Sequence, residues 1–267
     1  MLLLTHDTMA APLYITTSWD DGNPADLRIA EMLDRHKLRG TFYVPRAIDT
    51  GVMSATQLMQ IAGRFEIGAH TLNHVFLTET PEAPAEQEIE GSKKWVEDQT
   101  GRACPMFCPP AGRFNSRHWQ MFGASGFRGV RTVEFMSLRP PRRRGGLLEM
   151  PTTMQAFPHG PATYLRNLIK RLAVANLQTY FFHGRAGDWP EAAQKLLALA
   201  RQTGGVFHLW GHSWEVEQTG QWSQLEQVLG LLGEAVAAGE SAGGRVESLT
   251  NGEVCERFAA AGAAGTR

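Results

Sequence analysis

One stretch of the sequence decides the fold: Leu13-Tyr-Ile-Thr-Thr-Ser-Trp19-Asp20-Asp21-Gly22. In it a strand-like run leads directly into two acidic residues. Leu13–Trp19 is rich in apolar, aromatic and β-branched side chains, which is typical of a buried strand. Adjacent carboxylates repel each other, and Gly22 permits the sharp turn that would aim both of them into one site. A metal ion would relieve the repulsion by binding one carboxylate and leaving the other free as a base. Asp-Asp-Gly is also common turn material, so a solvated turn is the alternative.

Six further strand-like runs follow along the chain and alternate with segments of helical spacing. They are Thr41–Val44, Phe65–Ala69, Met106–Cys108, Gly129–Thr132, Thr179–Phe182 and Val206–Trp210. Strands that alternate with helices predict a parallel sheet with helical crossovers, and roughly seven or eight strands fit a (β/α) barrel. We therefore expect an α/β protein with an N-terminal extension over residues 1–12, one barrel over residues 13–258 and a frayed tail over residues 259–267.

The composition excludes several classes of protein. The chain has 267 residues, of which 43% are hydrophobic and 20% charged, as in an ordinary soluble globule. Lys and Arg number 26 against 27 Asp and Glu, so no global positive field would attract nucleic acid. The three cysteines are too few for a disulfide framework. The first residues lack the features of a signal peptide or membrane anchor, so we expect a cytoplasmic enzyme with no membrane partner.

His70 and His74 follow the run Phe65–Ala69. A spacing of four would put both imidazoles on one side of a helical turn, within reach of a single ion. Two histidines and one carboxylate leave open positions for water and substrate. A structural pair of histidines is the alternative, since this spacing arises easily by chance.

The turn Phe107-Cys-Pro-Pro-Ala-Gly-Arg113 also leaves a strand-like run. Its two prolines stiffen the turn, and Gly112 lets a backbone N–H face a ligand, so the turn could hold an oxyanion. A plain barrel loop explains the same residues.

His212 follows the last strand-like run, and Gly211 leaves space beside it. His212 could then point into a mouth lined by Trp210 and Trp214 and donate a proton to a leaving group. A hydrogen-bonded histidine at the end of a strand is the alternative. Asp188 could orient His212, although it also suits the N-cap of a following helix.

These motifs all lie where a predicted strand ends, and in a (β/α) barrel such ends share one face. Their order resembles the polysaccharide deacetylase family (carbohydrate esterase family 4, including chitooligosaccharide deacetylases of the nodulation type). The stretches that carry the resemblance are Ser18–Gly22, His70–His74, Cys108–Gly112, Asp188–Trp189 and Trp210–His212. The resemblance covers residues 13–215 and implies a distorted barrel of about seven strands that hydrolyses an N-acetyl group.

The resemblance also implies roles for individual residues. Asp21, His70 and His74 would bind one divalent metal ion, zinc or alternatively cobalt or nickel. Asp20 would be the general base and His212 the general acid.

Further roles are implied at the rim of the site. Asp188 would tune the acid, and the backbone N–H of Ala111 would help to hold the oxyanion. Substrate contacts are expected from Pro110, Arg113, Trp210 and Trp214.

The chain departs from the family pattern at several positions. Cys108 replaces the arginine that normally pairs with the catalytic base, and we expect Arg113 to restore that charge. Ala111 replaces the usual tyrosine. The last motif continues as Trp210-Gly-His-Ser-Trp-Glu215, so the predicted mouth of the site is aromatic and acidic. Such a mouth favours a small N-acylated saccharide or related amide over a long polysaccharide as the substrate. The basic run Arg142–Arg144 could bind an anionic substrate group, with a solvated surface loop as the alternative.

Two other functions stay open at this point. One is a metal-independent hydrolase of cyclic amides, similar to allantoinase. The complete set of Asp21, His70 and His74 argues against it. The other is a non-catalytic carbohydrate-binding protein, which would need neither Asp20 nor His212.

Overall fold

The computed structural model describes residues 11–171, 173–241 and 246–264, and the strands in these ranges form one curled sheet. The strands are β1 Leu13–Asp20, β2 Gly40–Val44, β3 Glu66–Ala69, β4 Met106–Phe107, β5 Gly129–Arg131, β6 Arg142–Arg144, β7 Leu147–Met150, β8 Met154–Gln155, β9 Gly205–Gly211 and β10 Val246–Ser248. The helices are α1 Asp26–Arg35, α2 Ala55–Ala62, α3 Glu82–Thr100, α4 His118–Ala124, α5 Pro161–Lys170, α6 Val174–Thr179, α7 Trp189–Thr203, α8 Ser213–Gln218, α9 Trp222–Ser241 and α10 Asn251–Ala264.

The sheet runs in the order β6-β7-β5-β4-β3-β2-β1-β9-β8, and β10 pairs with the first residues of β1. Every neighbouring pair is parallel except β6 with β7. Within the described ranges β6 and β8 are not paired with each other, so the sheet is an incomplete barrel. The predicted α/β class and single distorted (β/α) barrel are confirmed.

β1 lies inside this sheet between β2 and β9, and all eight of its residues are buried. Parallel strands are covered on both faces, which explains why β1 lacks a solvent-exposed face. The parallel direction brings the ends of β1, β3, β4 and β9 to one edge. The motifs predicted to form a site follow these four strands.

Six of the seven predicted strands are present, and the seventh is wrong. Thr179–Phe182 is helical, since α6 ends at Thr179 and a π-helical turn covers Tyr180–Gly184. Only Tyr180 of this aromatic run is buried, where it stacks on Tyr164, while Phe181 and Phe182 are exposed. The run therefore has one buried side, as in a helix, and is not a buried strand.

Other parts of the chain also differ from the sequence-based expectation. Arg142–Arg144 is a strand at the edge of the sheet and not a loop. Residues 259–264, expected in a frayed tail, continue helix α10, and Ala259 packs on a cluster of buried side chains. The proposed extension over residues 1–12 lies mostly outside the described residues, as do residues 265–267.

All three cysteines are buried and free. Among the helices of the described ranges, none combines the length and apolarity needed to cross a bilayer.

Candidate active site

Asp20 and Asp21 are buried side by side at the end of β1. Asp21 and Gly22 have left-handed backbone conformations, with φ of 77° and 62°. A Cβ at Gly22 would lie 2.6 Å from the Cγ1 of Val44, so the turn has no room for a side chain there. This tight turn aims the Asp21 carboxylate toward the loop that follows β3.

His70 and His74 lie in that loop and face Asp21. The Nε2 atoms of His70 and His74 are 3.4 and 3.1 Å from the Oδ1 of Asp21. The segment between them is not helical, contrary to the expected helical turn, and both Thr71 and His74 have positive φ. The two left-handed residues turn the loop back on itself, which brings the imidazoles together without a helix.

The orientation of His70 is fixed by the next strand. Its Nδ1–H donates to the backbone carbonyl of Cys108 at 2.7 Å, and both residues are buried. Since a carbonyl only accepts, Nδ1 carries a proton, and Nε2 is the ring nitrogen that faces Asp21. Histidines that bind metals are commonly held in this way.

The donor atoms of Asp21, His70 and His74 fit one divalent cation. They lie within 4.8 Å of one another and comprise a carboxylate oxygen and two imidazole nitrogens, the ligand types that zinc prefers. Burial alone would raise the pKa of Asp21, but hydrogen bonds with the two imidazoles hold it well below its usual range. The ligand carboxylate is therefore ionised.

A second group of possible ligands, Asp20, His70 and Cys108, lies next to the first. Burial raises the pKa of the Cys108 thiol well above its usual value, so the thiol keeps its proton. Asp20 is already engaged by an arginine. These properties favour the set with Asp21 over the set with Cys108.

The arginine bound to Asp20 is Arg131, at the end of β5. Its Nη2 donates to the Oδ1 of Asp20, and both side chains are buried. The guanidinium also lies 4.7 Å above the ring of Trp210. The thiol of Cys108 donates to the other oxygen of Asp20 at 3.9 Å.

The expectation that Arg113 restores the missing charge is wrong. Arg113 forms an ion pair with Glu79 and stacks over Phe76, so it is directed away from Asp20. Sequence reasoning missed Arg131, although an arginine inside an apolar strand-like run was a usable signal.

His212 approaches the two aspartates from β9. Its Nε2 is 4.0 Å from the Oδ2 of Asp20 and 3.9 Å from the Oδ2 of Asp21. Its Nδ1–H donates to the Oε2 of Glu215 at 2.5 Å. Burial alone would lower the pKa of His212, but the Glu215 bond and the charges of the aspartates raise it to about 9. His212 is thus protonated at neutral pH.

Glu215, and not Asp188, is the carboxylate that contacts His212. Asp188 caps helix α7 by accepting the backbone N–H of Glu191 at 2.8 Å, as the cap alternative predicted. Gln155 donates to the same oxygen of Glu215 at 2.7 Å and so fixes its position. Because Glu215 follows His212 by three residues at the start of α8, that spacing was a usable signal.

The remaining candidate residues lie at different depths. Trp214 donates its indole N–H to the Oδ2 of Asp21 at 2.9 Å, so it holds a candidate metal ligand. Trp210 is only 6% exposed and packs beside Phe135, which corrects its expected place in an open mouth.

Ala111 lies in a short 3₁₀ turn over Pro110–Gly112, and its φ is 51°. Ala111 is exposed and Pro110 is buried. Among the described residues the Ala111 N–H has no acceptor, so it is available to a ligand.

Comparison with known proteins agrees with the motifs. Residues 8–130 match the sequence profile of the family described as polysaccharide deacetylase. Comparison with curated proteins finds no significant match.

Several solved structures have the same fold. One is a protein assigned as a polysaccharide deacetylase from Mycobacterium smegmatis, with 17% identity, 94% of each chain covered and a TM-score of 0.68. Another is the chitin deacetylase of Colletotrichum lindemuthianum, with 14% identity, 91% of this chain and 88% of that chain covered, and a TM-score of 0.54. A pseudoenzyme of carbohydrate esterase family 4 from Bacillus anthracis has 14% identity, covers 92% of this chain and 66% of its own, and gives a TM-score of 0.50.

The resemblance drawn from the motifs is confirmed, since residues 8–130 match the profile of that family and the solved structures share the fold.

Proposed function

We propose that this protein is a metal-dependent hydrolase that removes an N-acetyl or similar N-acyl group from a saccharide. One observation carries the proposal. Asp21, His70 and His74 converge on one point, and Asp20 and His212 lie directly beside it. The family relationship supports deacetylation as the reaction.

Asp21, His70 and His74 would hold the metal ion. A divalent cation held there would supply a Lewis acid and would lower the pKa of water toward neutrality. One carboxylate and two imidazoles favour zinc, and cobalt and nickel accept the same ligand types.

Asp20 is the general base, and it accepts the proton of the attacking water. Arg131 and Cys108 each bind one oxygen of this carboxylate, so the side chain cannot rotate away. A positioned base typically contributes about 10²–10⁴-fold to the rate.

His212 is the general acid, and it gives the proton on its Nε2 to the departing amine. Glu215 keeps the imidazole in place through Nδ1, so Nε2 faces the reacting atoms. The free N–H of Ala111 donates to the oxygen on which negative charge develops. The acid, the base and the oxyanion donor thus lie at the ends of three different strands, β9, β1 and β4.

Two other functions fit the residues less well. A metal-independent hydrolase of cyclic amides would have no use for a carboxylate and two imidazoles at hydrogen-bonding distance. A non-catalytic carbohydrate-binding protein would have no use for a buried Asp20–Arg131 pair next to a protonated His212. The pseudoenzyme among the solved structures makes a direct assay of catalysis the necessary test.

The test is acetate release from N-acetylated mono- and disaccharides by the metal-loaded full-length protein. We expect turnover that stops when a chelator is added and returns when zinc is restored. Turnover that is unaffected by the chelator would favour the cyclic-amide hydrolase. Bound metal without turnover on any acylated compound would favour the binding protein.

A further inference from the structure

Arg171 lies at the end of α5, beside the turn that contains Ala111. A Cβ at Gly112 would lie 2.9 Å from the Nη2 of Arg171, so the guanidinium lies against the backbone of that turn. A cavity of about 530 Å³ opens at this point. Its lining includes Ala111, Gly112, Lys170 and Arg171. The cavity therefore shares the Ala111 turn with the proposed catalytic centre.

The Arg171 guanidinium has no hydrogen-bond or ion-pair partner among the described residues. The carboxylates that influence it electrostatically are Glu134 and Glu149, and both are already paired with Arg142. Burial lowers the pKa of Arg171 in spite of these two carboxylates. A partly buried arginine without a partner carries a desolvation cost that an anion would remove.

The segment of sequence on either side of Arg171 also lacks acidic residues. Residues 150–187 contain three arginines and one lysine and no Asp or Glu. Lys170 is exposed next to Arg171 and has no partner among the described residues. A cavity wall of one charge concentrates ligands of the opposite charge.

We propose that Arg171 and Lys170 bind a negatively charged group of the substrate, so the substrate is an N-acylated saccharide that carries a phosphate or a carboxylate. The inference rests on the proposed function, because it assigns a substrate class to the same site. Arginine suits this role, since its planar fork matches the oxygens of either group. The basic run Arg142–Arg144 does not take this role, because two of its arginines pair with Glu149.

The first test measures binding of inorganic phosphate to the metal-loaded full-length protein by isothermal titration calorimetry. Arg171→Gln should weaken phosphate binding at least tenfold. Arg166→Gln is the matched control, because Arg166 is exposed on the same helix and does not line the cavity. Phosphate bound to the cation alone would bind wild type and Arg171→Gln equally, and that result would overturn the inference.

The second test compares acetate release from N-acetylglucosamine, N-acetylglucosamine 6-phosphate and N-acetylmuramic acid. We expect kcat/KM to be at least tenfold higher for one anionic sugar than for the neutral sugar. Which of the two is preferred distinguishes phosphate from carboxylate. In Arg171→Gln this preference should disappear, mainly because the KM for the preferred anionic sugar rises.

The outcomes separate the two proposals. Equal turnover of all three sugars by wild type and Arg171→Gln would overturn the anion site and leave deacetylation standing. Phosphate binding that depends on Arg171, without turnover of any sugar, would support the anion site and contradict the proposed deacetylation.

Discussion

Arg131 binds Asp20 from the end of β5, whereas Cys108, at the position of the family arginine, follows β4. The positive charge beside Asp20, the proposed general base, is thus supplied by the neighbouring strand β5. β4 and β5 are paired in parallel, so their ends lie at the same edge of the sheet. A guanidinium that comes from β5 can reach the carboxylate that the missing arginine would have bound.

The Arg131–Asp20 pair should be strongly coupled, because both side chains are buried. We expect Arg131→Met to lower the free energy of unfolding by about 3–5 kcal/mol, since it leaves Asp20 charged and without its partner. The double variant Arg131→Met/Asp20→Asn should recover part of that loss. Urea unfolding of the four proteins measures the coupling. Arg128→Met, which removes an exposed pair with Glu256, is the control and should change stability by less than about 1 kcal/mol. A loss in the double variant that equals the sum of the two single losses would contradict the pairing.

Asp20→Asn should slow turnover at least a hundredfold, because the amide cannot accept the proton of the attacking water. The substitution keeps the shape of the side chain but removes the charge that pairs with Arg131, so the variant should fold with lower stability. Steady-state acetate release and circular dichroism measure the two effects. A variant that is folded and fully active would show that the base is another residue.

Glu215→Gln should shift the pH profile of turnover. His212 must be protonated to act as the acid, and its pKa is raised to about 9, so the rate should fall as the pH rises through about 9. Removing the Glu215 charge lowers the pKa of His212 and moves this fall to lower pH. The measurement is kcat/KM from pH 6 to 10.5.

Asp188→Ala serves as the matched control for Glu215→Gln. It should cost about 0.5–2 kcal/mol of stability through the lost helix cap. It should leave the alkaline limb of the pH profile in place. A shifted limb in Asp188→Ala and none in Glu215→Gln would restore the role first expected of Asp188.

Trp214→Phe should weaken metal binding about 10–100-fold, since the indole N–H orients the Oδ2 of Asp21. Phenylalanine preserves most of the apolar contact, so stability without metal should change little. Competition with a zinc-sensitive chelator gives the metal affinity. Trp222→Phe is a control outside the site, where the indole N–H bonds Glu217. Unchanged affinity in Trp214→Phe would mean that the hydrogen bond to Asp21 does not orient this ligand.

The sequence allowed prediction of the strands that carry the motifs. β1 ends at Asp20, and β3 and β9 are followed directly by His70 and His212. Parallel pairing brings such ends to one edge. Local pattern and barrel topology were therefore enough to group these residues.

Contacts between distant segments were not predictable in the same way. Arg131 meets Asp20 across 111 positions of sequence, and only the pairing of β5 in the sheet brings them together. The apolar run Thr179–Phe182 was mistaken for a strand because four residues are too few to distinguish a period of two from a helical period. Arg171 was also missed, since nothing in the local sequence indicates that α5 ends against the Ala111 turn.

The most direct test of the account is the metal content of wild type, Asp20→Asn and Asp21→Asn, measured by elemental analysis after loading with zinc and desalting. We expect one zinc per chain in wild type and in Asp20→Asn, and less than about a tenth of that in Asp21→Asn, because only Asp21 is a ligand. Loss of zinc from Asp20→Asn together with its retention in Asp21→Asn would contradict the assignment of the two aspartates.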